Sequence, residues 1–252
     1  MISYYEAVTQ LARVQDIVEF DGTALGIYSH VSDPDHIVLY IPGGTKPLGL
    51  LTGTTVQPNG FTWRWMPHWL EKGVALATVD MPQEYYENGM SPDLRQKSSR
   101  MNTVGEMVKY LRQRFPTARI SGYGHSYGSL EMSVLVTQNL LDSVVIGSGN
   151  WNPDPDNEAE HADIYVKSLD VKKLKCPLLI VHHVNDATSK CDYQAAKKYM
   201  ELVDSITVYG GVPHLGLPGL DPGPHFFHGQ ESEIVKNIVL WLRNKTYSTI
   251  VL

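Results

Sequence analysis

The 252 residues are 42% hydrophobic and 19% charged, the balance of an ordinary globular chain long enough to bury a substantial core. A formal charge of -6, with no cluster of Lys and Arg, excludes the electrostatic footprint that nucleic-acid binding needs; the densest basic run, VKKLK at 171–175, reads as a solvated helix end. No apolar run approaches the ~18 residues of a membrane span. The opening MISYYEAVTQLARVQDIVEF lacks the basic-then-apolar order of a signal peptide. The two cysteines, Cys176 and Cys191, flank the apolar run PLLIVHH, whose ends would lie on the order of 20 Å apart as a strand, too far for a bridge. Free thiols and a cytoplasmic location are therefore expected.

In chain order, DIVEF and ALGIYSH flank Asp21-Gly22, which predicts an antiparallel hairpin. Six short apolar runs follow: HIVLYIP (36–42), VALATVD (74–80), ARISGYG (118–124), DSVVIGS (142–148), PLLIVHH (177–183) and SITVYGG (205–211). They read as buried strands of a mostly parallel sheet. Between them lie helical stripes: Val104, Met107, Val108 and Leu111; Leu130, Val134, Leu135 and Leu141; Ala196, Met200 and Val203; and Ile234, Val235, Ile238 and Leu242. Hairpin first, then strand and helix in alternation, predicts one doubly wound α/β domain over residues 1–252. No repeat, low-complexity tract or linker divides it.

The third strand of the parallel part runs into GHSYG, a G-x-S-x-G pentapeptide at 124–128, before a helical stripe. In that context the pattern predicts a sharp strand-to-helix turn. Ser126 would sit in a strained positive-φ conformation with its hydroxyl above the sheet, and Gly124 and Gly128 would keep Cβ atoms out of the crowded turn. A serine attacks only when a base takes its proton and an acid orients that base. For such a turn the acid and then the base come later in the chain. Asp186, just beyond the end of LLIVHH, is the expected acid, with Asp163 and Asp170 poorer candidates in helical surroundings. His214, His225 and His228 remain for the base. His228 is preferred because a glycine follows it and the last amphipathic helix begins there. The Tyr127 N–H would be one oxyanion donor, and Gly44 or Thr45, in IPGGTKPLG, the other.

The segment after the 142–148 strand is too short for a large helical cap, so pocket walls are expected from loops. These are TKPLGLLTGTTVQPNGFTWRW, PQEYYENGMSPDLRQKSSR and GNWNPDPD, with Leu48, Trp65, Tyr85 and Trp151 as substrate-facing candidates. Without an Arg or Lys cluster there, a neutral, moderately apolar small-molecule ester or acyl group is expected. Two other readings stay open at this stage: a non-catalytic binding protein on the same fold, and a metal hydrolase using His182, His183, Asp186 and the His225/His228 pair.

With these residues in place, the chain resembles the α/β-hydrolase superfamily from about residue 16 to 244. VHHVND, YGG and HGQESEIVKNIVLWL are similar to a bacterial esterase-like group in which the acid follows a His-His strand end and the base opens an H-G segment. The resemblance implies Ser126, Asp186 and His228 as a triad, hydrolysis of esters or related acyl compounds (or transfer of the acyl group by the same triad), and no cofactor or metal. Members of that group are often exported and pair a cysteine after the acid with one just before the base. Cys191 falls in about the first position, but residues 210–228 contain no cysteine, so neither the staple nor the export inference carries over.

Overall fold

A computed structural model of the protein describes residues 14–52, 61–152, 166, 169–186, 188–212 and 223–252. The chain enters through the expected hairpin. β1 (Val14–Phe20) and β2 (Thr23–Ser29) pair antiparallel with Phe20 opposite Thr23. Asp21 (φ 47°) and Gly22 (φ 69°) form the connection, and their two left-handed residues match the twist of the strands they join. Next come β3 (His36–Ile41), β4 (Ala75–Pro82), β5 (Arg119–His125), β6 (Ser143–Gly147), β7 (Leu178–His183) and β8 (Asp204–Val208). A two-residue β9 (Ile250–Val251) lies on the far edge. The sheet order is β1-β2-β4-β3-β5-β6-β7-β8-β9, antiparallel as far as β4 and parallel from there on.

Strand periodicity divides the core between the two faces of the sheet. Along β3, Ile37, Leu39 and Ile41 join one apolar cluster, while Val38 and Tyr40 join the other. The first face is covered by α2 (Ser98–Arg114), α3 (Gly128–Leu135) and α4 (Tyr193–Met200), through Val104, Met107, Leu111, Leu130, Leu135 and Ala196. The second is covered by α1 (Phe61–Glu71) and α5 (Glu231–Leu242), through Trp65, Trp69, Ile234, Val235 and Ile238. Helices on both faces of a mostly parallel sheet with an antiparallel hairpin at its start make the doubly wound architecture that the alternation predicts.

Some elements depart from the sequence reading. Residues 61–71 form a helix whose first part, 61–65, falls in the stretch expected as a pocket loop; its buried Trp65, Met66, Trp69 and Leu70 make a helical stripe around Pro67. Leu141 and Val203 lie beyond the ends of α3 and α4, although Leu141 still joins the core. β8 stops at Val208, before Gly210 and Gly211 turn the backbone left-handed. Residues 153–165, on which the expectation of no large cap bears, lie outside the described residues, Asp163 among them, as does His214. Both cysteines are free, and no helix among the described residues is long and apolar enough to cross a membrane.

The order of strands fixes where a site can be. The chain leaves β3 toward β4 on one side and returns to β5 on the other, so β3 and β5 are neighbours whose outgoing connections diverge. In open α/β sheets the crevice beyond the strand ends at such a reversal is where ligands bind.

Candidate active site

Ser126 follows β5 at that crevice with φ 51°, a left-handed backbone that a non-glycine residue rarely adopts. The flanking glycines are required by contact. A Cβ on Gly124 would lie 2.4 Å from the Gly128 carbonyl oxygen, and one on Gly128 would lie 2.1 Å from the Ile41 carbonyl oxygen. The absence of both lets α3 start directly against the ends of β3 and β5. The turn is held further by the Ser126 N–H to the Gly147 carbonyl, 3.0 Å, and by the Ser129 hydroxyl to the Ser126 carbonyl, 2.5 Å. Ser129 Oγ in turn accepts the Asn150 N–H, tying the loop after β6 to the turn.

Asp186 lies beyond the end of β7 and is 3% exposed. Its Oδ1 accepts the Thr188 N–H at 3.0 Å, and its Oδ2 accepts from His225 Nδ1 at 2.8 Å. Burial pushes this carboxyl up. The His225 hydrogen bond, the charges of His225 and His182, and the Thr188 N–H outweigh it and hold the group below the ordinary aspartate value. Asp186 is thus a buried carboxylate poised to orient an imidazole. With Nδ1 facing a carboxylate, His225 keeps its proton there and leaves Nε2 as the acceptor.

The histidine that Asp186 engages is therefore His225, three residues before the His228 expected from sequence. The reason lies in the turn at 223–229. The Phe227 N–H bonds the Pro224 carbonyl, and the His228 N–H bonds the Gly223 carbonyl. Phe227 takes φ 52° and is fully buried, 5.9 Å centroid to centroid from Trp65. That plug sets His225 facing inward, over the buried ring of His125 at 5.2 Å. His228 instead lends its carbonyl to the Val212 N–H, while the Gly229 N–H is taken by Glu231 in the first turn of α5. The H-G step serves the helix start, not the imidazole. Two adjacent phenylalanines after His225 were the signal that this residue sits beside a core anchor.

Gly43, not Gly44, is the part of the β3 loop that meets Ser126. A Cβ on Gly43 would stand 2.6 Å from Ser126 Cβ and 3.3 Å from its Oγ. Gly44 (φ 75°) has open space around it, and Thr45 is exposed. Among the pocket candidates, Leu48, Trp65 and Trp151 are buried core residues: Trp65 packs on Tyr123, and Trp151 stacks on Tyr199 at 5.0 Å. Tyr85, half-buried, lines a separate cavity of about 170 Å³ with Thr23, Lys97 and Thr103.

The sequence reading did not foresee Cys191 beside the serine. Its thiol is hydrogen-bonded to Asn150 Oδ1 at 3.1 Å and to Ser126, and burial keeps it a neutral thiol. His182 and His183 diverge. His182 Nε2 donates to the Cys191 carbonyl at 2.7 Å, and His183 Nε2 donates to the Gly210 carbonyl at 2.9 Å while its Nδ1 accepts the Asn185 N–H. Among the described residues, no group of three or more His, Cys, Asp or Glu is arranged to hold a metal ion.

Burial lowers His182 to about 4, against the pull of Asp186 and the Cys191 carbonyl. The unfolded chain, with histidine near 6.5, takes up this proton first as the pH falls. The contribution of His182 to stability is therefore level above pH 7 and declines between about 6.5 and 4. His182 alone accounts for about 2 kcal/mol of the decline from pH 7 to 5. Urea melts at the two pH values should show a shallower loss for His182→Gln than for the parent; equal losses would mean that His182 does not carry this linkage.

No protein-family model matches the sequence, and no curated protein does. Solved structures match over nearly the whole chain. An alpha-beta serine hydrolase homologue from Coxiella burnetii is 13% identical with a TM-score of 0.58, covering 93% of this chain and 98% of its own. Est1E from Butyrivibrio proteoclasticus is 17% identical with a TM-score of 0.57, covering 92% and 99%. A thermostable carboxyl esterase from Bacillus coagulans is 11% identical with a TM-score of 0.57, covering 92% and 98%. The chain has the α/β-hydrolase fold.

Proposed function

We propose that the protein is a serine hydrolase that cleaves a carboxylic ester or related acyl compound through an acyl-enzyme, with Ser126 as nucleophile, His225 as general base and Asp186 as the orienting acid. The observation that carries the reading is the buried 2.8 Å hydrogen bond between Asp186 and His225, at the same sheet edge as a serine held at positive φ. The esterases and serine hydrolases among its structural neighbours support the same class.

In this reading His225 Nε2 takes the hydroxyl proton as Ser126 Oγ attacks the substrate carbonyl, and Asp186 stabilises the imidazolium without itself taking the proton. The oxyanion is met by the Tyr127 N–H and by an N–H of the 43–45 loop. Collapse expels the alcohol, which takes its proton from His225. Water then enters and gives a proton to the same nitrogen as its oxygen attacks the acyl carbon. The second intermediate collapses with the bond to Ser126 Oγ breaking, Oγ takes the proton back from His225, and the acid leaves. Cys191 stays a neutral thiol and takes no part in proton transfer.

Labelling by a fluorophosphonate probe, mapped to Ser126 by mass spectrometry, tests the nucleophile, and a panel of chromogenic esters of graded acyl length tests the substrate class. Failure to label with an active preparation would sink the reading. Because this mechanism needs no metal, exhaustive chelation is expected to leave the rate within twofold of its starting value. Loss on chelation with recovery on adding zinc would point instead to chemistry at His182, His183 and Asp186.

A further inference from the structure

Arg95 lies in a short 3-10 turn between β4 and α2, far in sequence from the site, yet it is 2% exposed and reaches the loop beside Ser126. Its Nη1 donates to Glu131 Oε2 at 2.8 Å and to the Pro42 carbonyl at 3.3 Å; its Nη2 donates to the Gly44 carbonyl at 2.7 Å. Glu131 is fully buried in the first turn of α3, the helix that begins two residues after Ser126. Its other oxygen accepts from Arg100 Nε at 3.0 Å, and Arg100 Nη2 donates to the Asp80 carbonyl at 3.1 Å. The Asp80 carboxylate in turn accepts the N–H groups of Leu48 and Leu50, at 2.7 and 2.9 Å, farther along the same loop. One buried polar chain therefore joins the serine's helix to the β3 loop at 42–44 and again at 48–50.

The peptide bond is planar and trans, so a carbonyl and the N–H that follows it point in opposite directions. The two oxygens held by Arg95 belong to the peptides whose N–H groups are those of Gly43 and Thr45. Drawing both oxygens onto one guanidinium turns both N–H groups away from it. Of the two residues, Gly43 is the one packed against Ser126 Cβ and Oγ. We infer that Arg95 is a positioning residue that aims the Gly43 N–H at the oxyanion formed on Ser126, with Glu131 indexing the guanidinium to the serine's helix. This rests on the serine hydrolase reading above and replaces Gly44 and Thr45 with Gly43 as the second donor.

Planar bidentate contact to two carbonyls and a carboxylate is specific to a guanidinium; an ammonium cannot span all three. Removing a donor from an oxyanion hole costs ~10²–10³ in kcat, so misaiming one in Arg95→Lys should cost roughly 10- to 100-fold. KM should stay within about threefold, and affinity for a trifluoromethyl ketone analogue of the tetrahedral intermediate should fall in parallel with kcat. A purely structural role would lower stability and active fraction but leave kcat per active site, titrated with the fluorophosphonate probe, and affinity for the analogue unchanged. Because loss of a buried contact can unfold a variant, Arg95→Met, which leaves Glu131 paired with Arg100, is measured beside it. A folded variant of either kind with kcat and analogue affinity within threefold of the parent overturns the inference. Absence of ester turnover and of Ser126 labelling in the parent itself would instead overturn the hydrolase reading, and this inference with it.

Discussion

Ser126→Ala lowers ester hydrolysis by on the order of 10⁴-fold or more and leaves the protein folded, if Ser126 is the nucleophile. The hydroxyl makes no contribution to the turn that could not survive its loss. The turn is held through the Ser126 N–H, its carbonyl and the two flanking glycines, all of which the alanine variant keeps. The measurement is kcat on one chromogenic ester, with circular dichroism and thermal melting as the fold control. Activity within tenfold of the parent would show that another group attacks.

The second large effect separates two histidines three residues apart. His225→Ala is expected to fall to nearly the same residual rate as Ser126→Ala, because members of a triad act as a unit and their losses do not add. His228→Ala should lose less than tenfold, since the loop uses the backbone of that residue: its N–H on Gly223 and its carbonyl on Val212. The double variant Ser126→Ala/His225→Ala should be no slower than either single one. A collapse confined to His228→Ala would return the base to the position first expected from sequence and leave the Asp186–His225 bond without a catalytic purpose.

The sheet was legible because short apolar runs and helical stripes are local statements, and local pattern decides which face of an element is buried. Ser126 was legible for a related reason: the missing Cβ atoms at Gly124 and Gly128 are themselves sequence features, and their spacing has one steric use at a strand end. Asp186 followed from its place beyond an apolar strand. His225 did not, because an imidazole in a loop is oriented by whatever anchors that loop. Here the anchor is the burial of Phe227 against Trp65, a contact across the fold. The H-G step next to a helix start is a real signal, but of a capped helix. α1 was hidden by an internal proline and by polar residues around its tryptophans. Arg95 was the least legible of all, since its partner Glu131 stands 36 residues away and nothing in either neighbourhood marks the pair. Leu48, Trp65 and Trp151, expected to face a substrate, are buried in the core instead, because local sequence does not tell an aromatic lining residue from a packed one.

Six non-glycine residues among those described have left-handed backbones, and they fall into two kinds. Asp21, Asn139 and Asn244 are of the types whose short polar side chains tolerate that conformation. Ser126, Ser148 and Phe227 are not, and all three border the crevice: Ser126 in the turn, Ser148 just after the Gly147 that bonds Ser126, and Phe227 as the plug behind His225. Each costs of order 1–3 kcal/mol in a molecule whose whole margin is about 5–15 kcal/mol. A glycine at Ser126 would recover that energy and abolish the hydroxyl; a glycine at Phe227 would recover it and empty the core beneath the histidine. Selection for thermal endurance alone would therefore act first on the residues of the proposed site, and if that site is catalytic the strain held there trades robustness for activity.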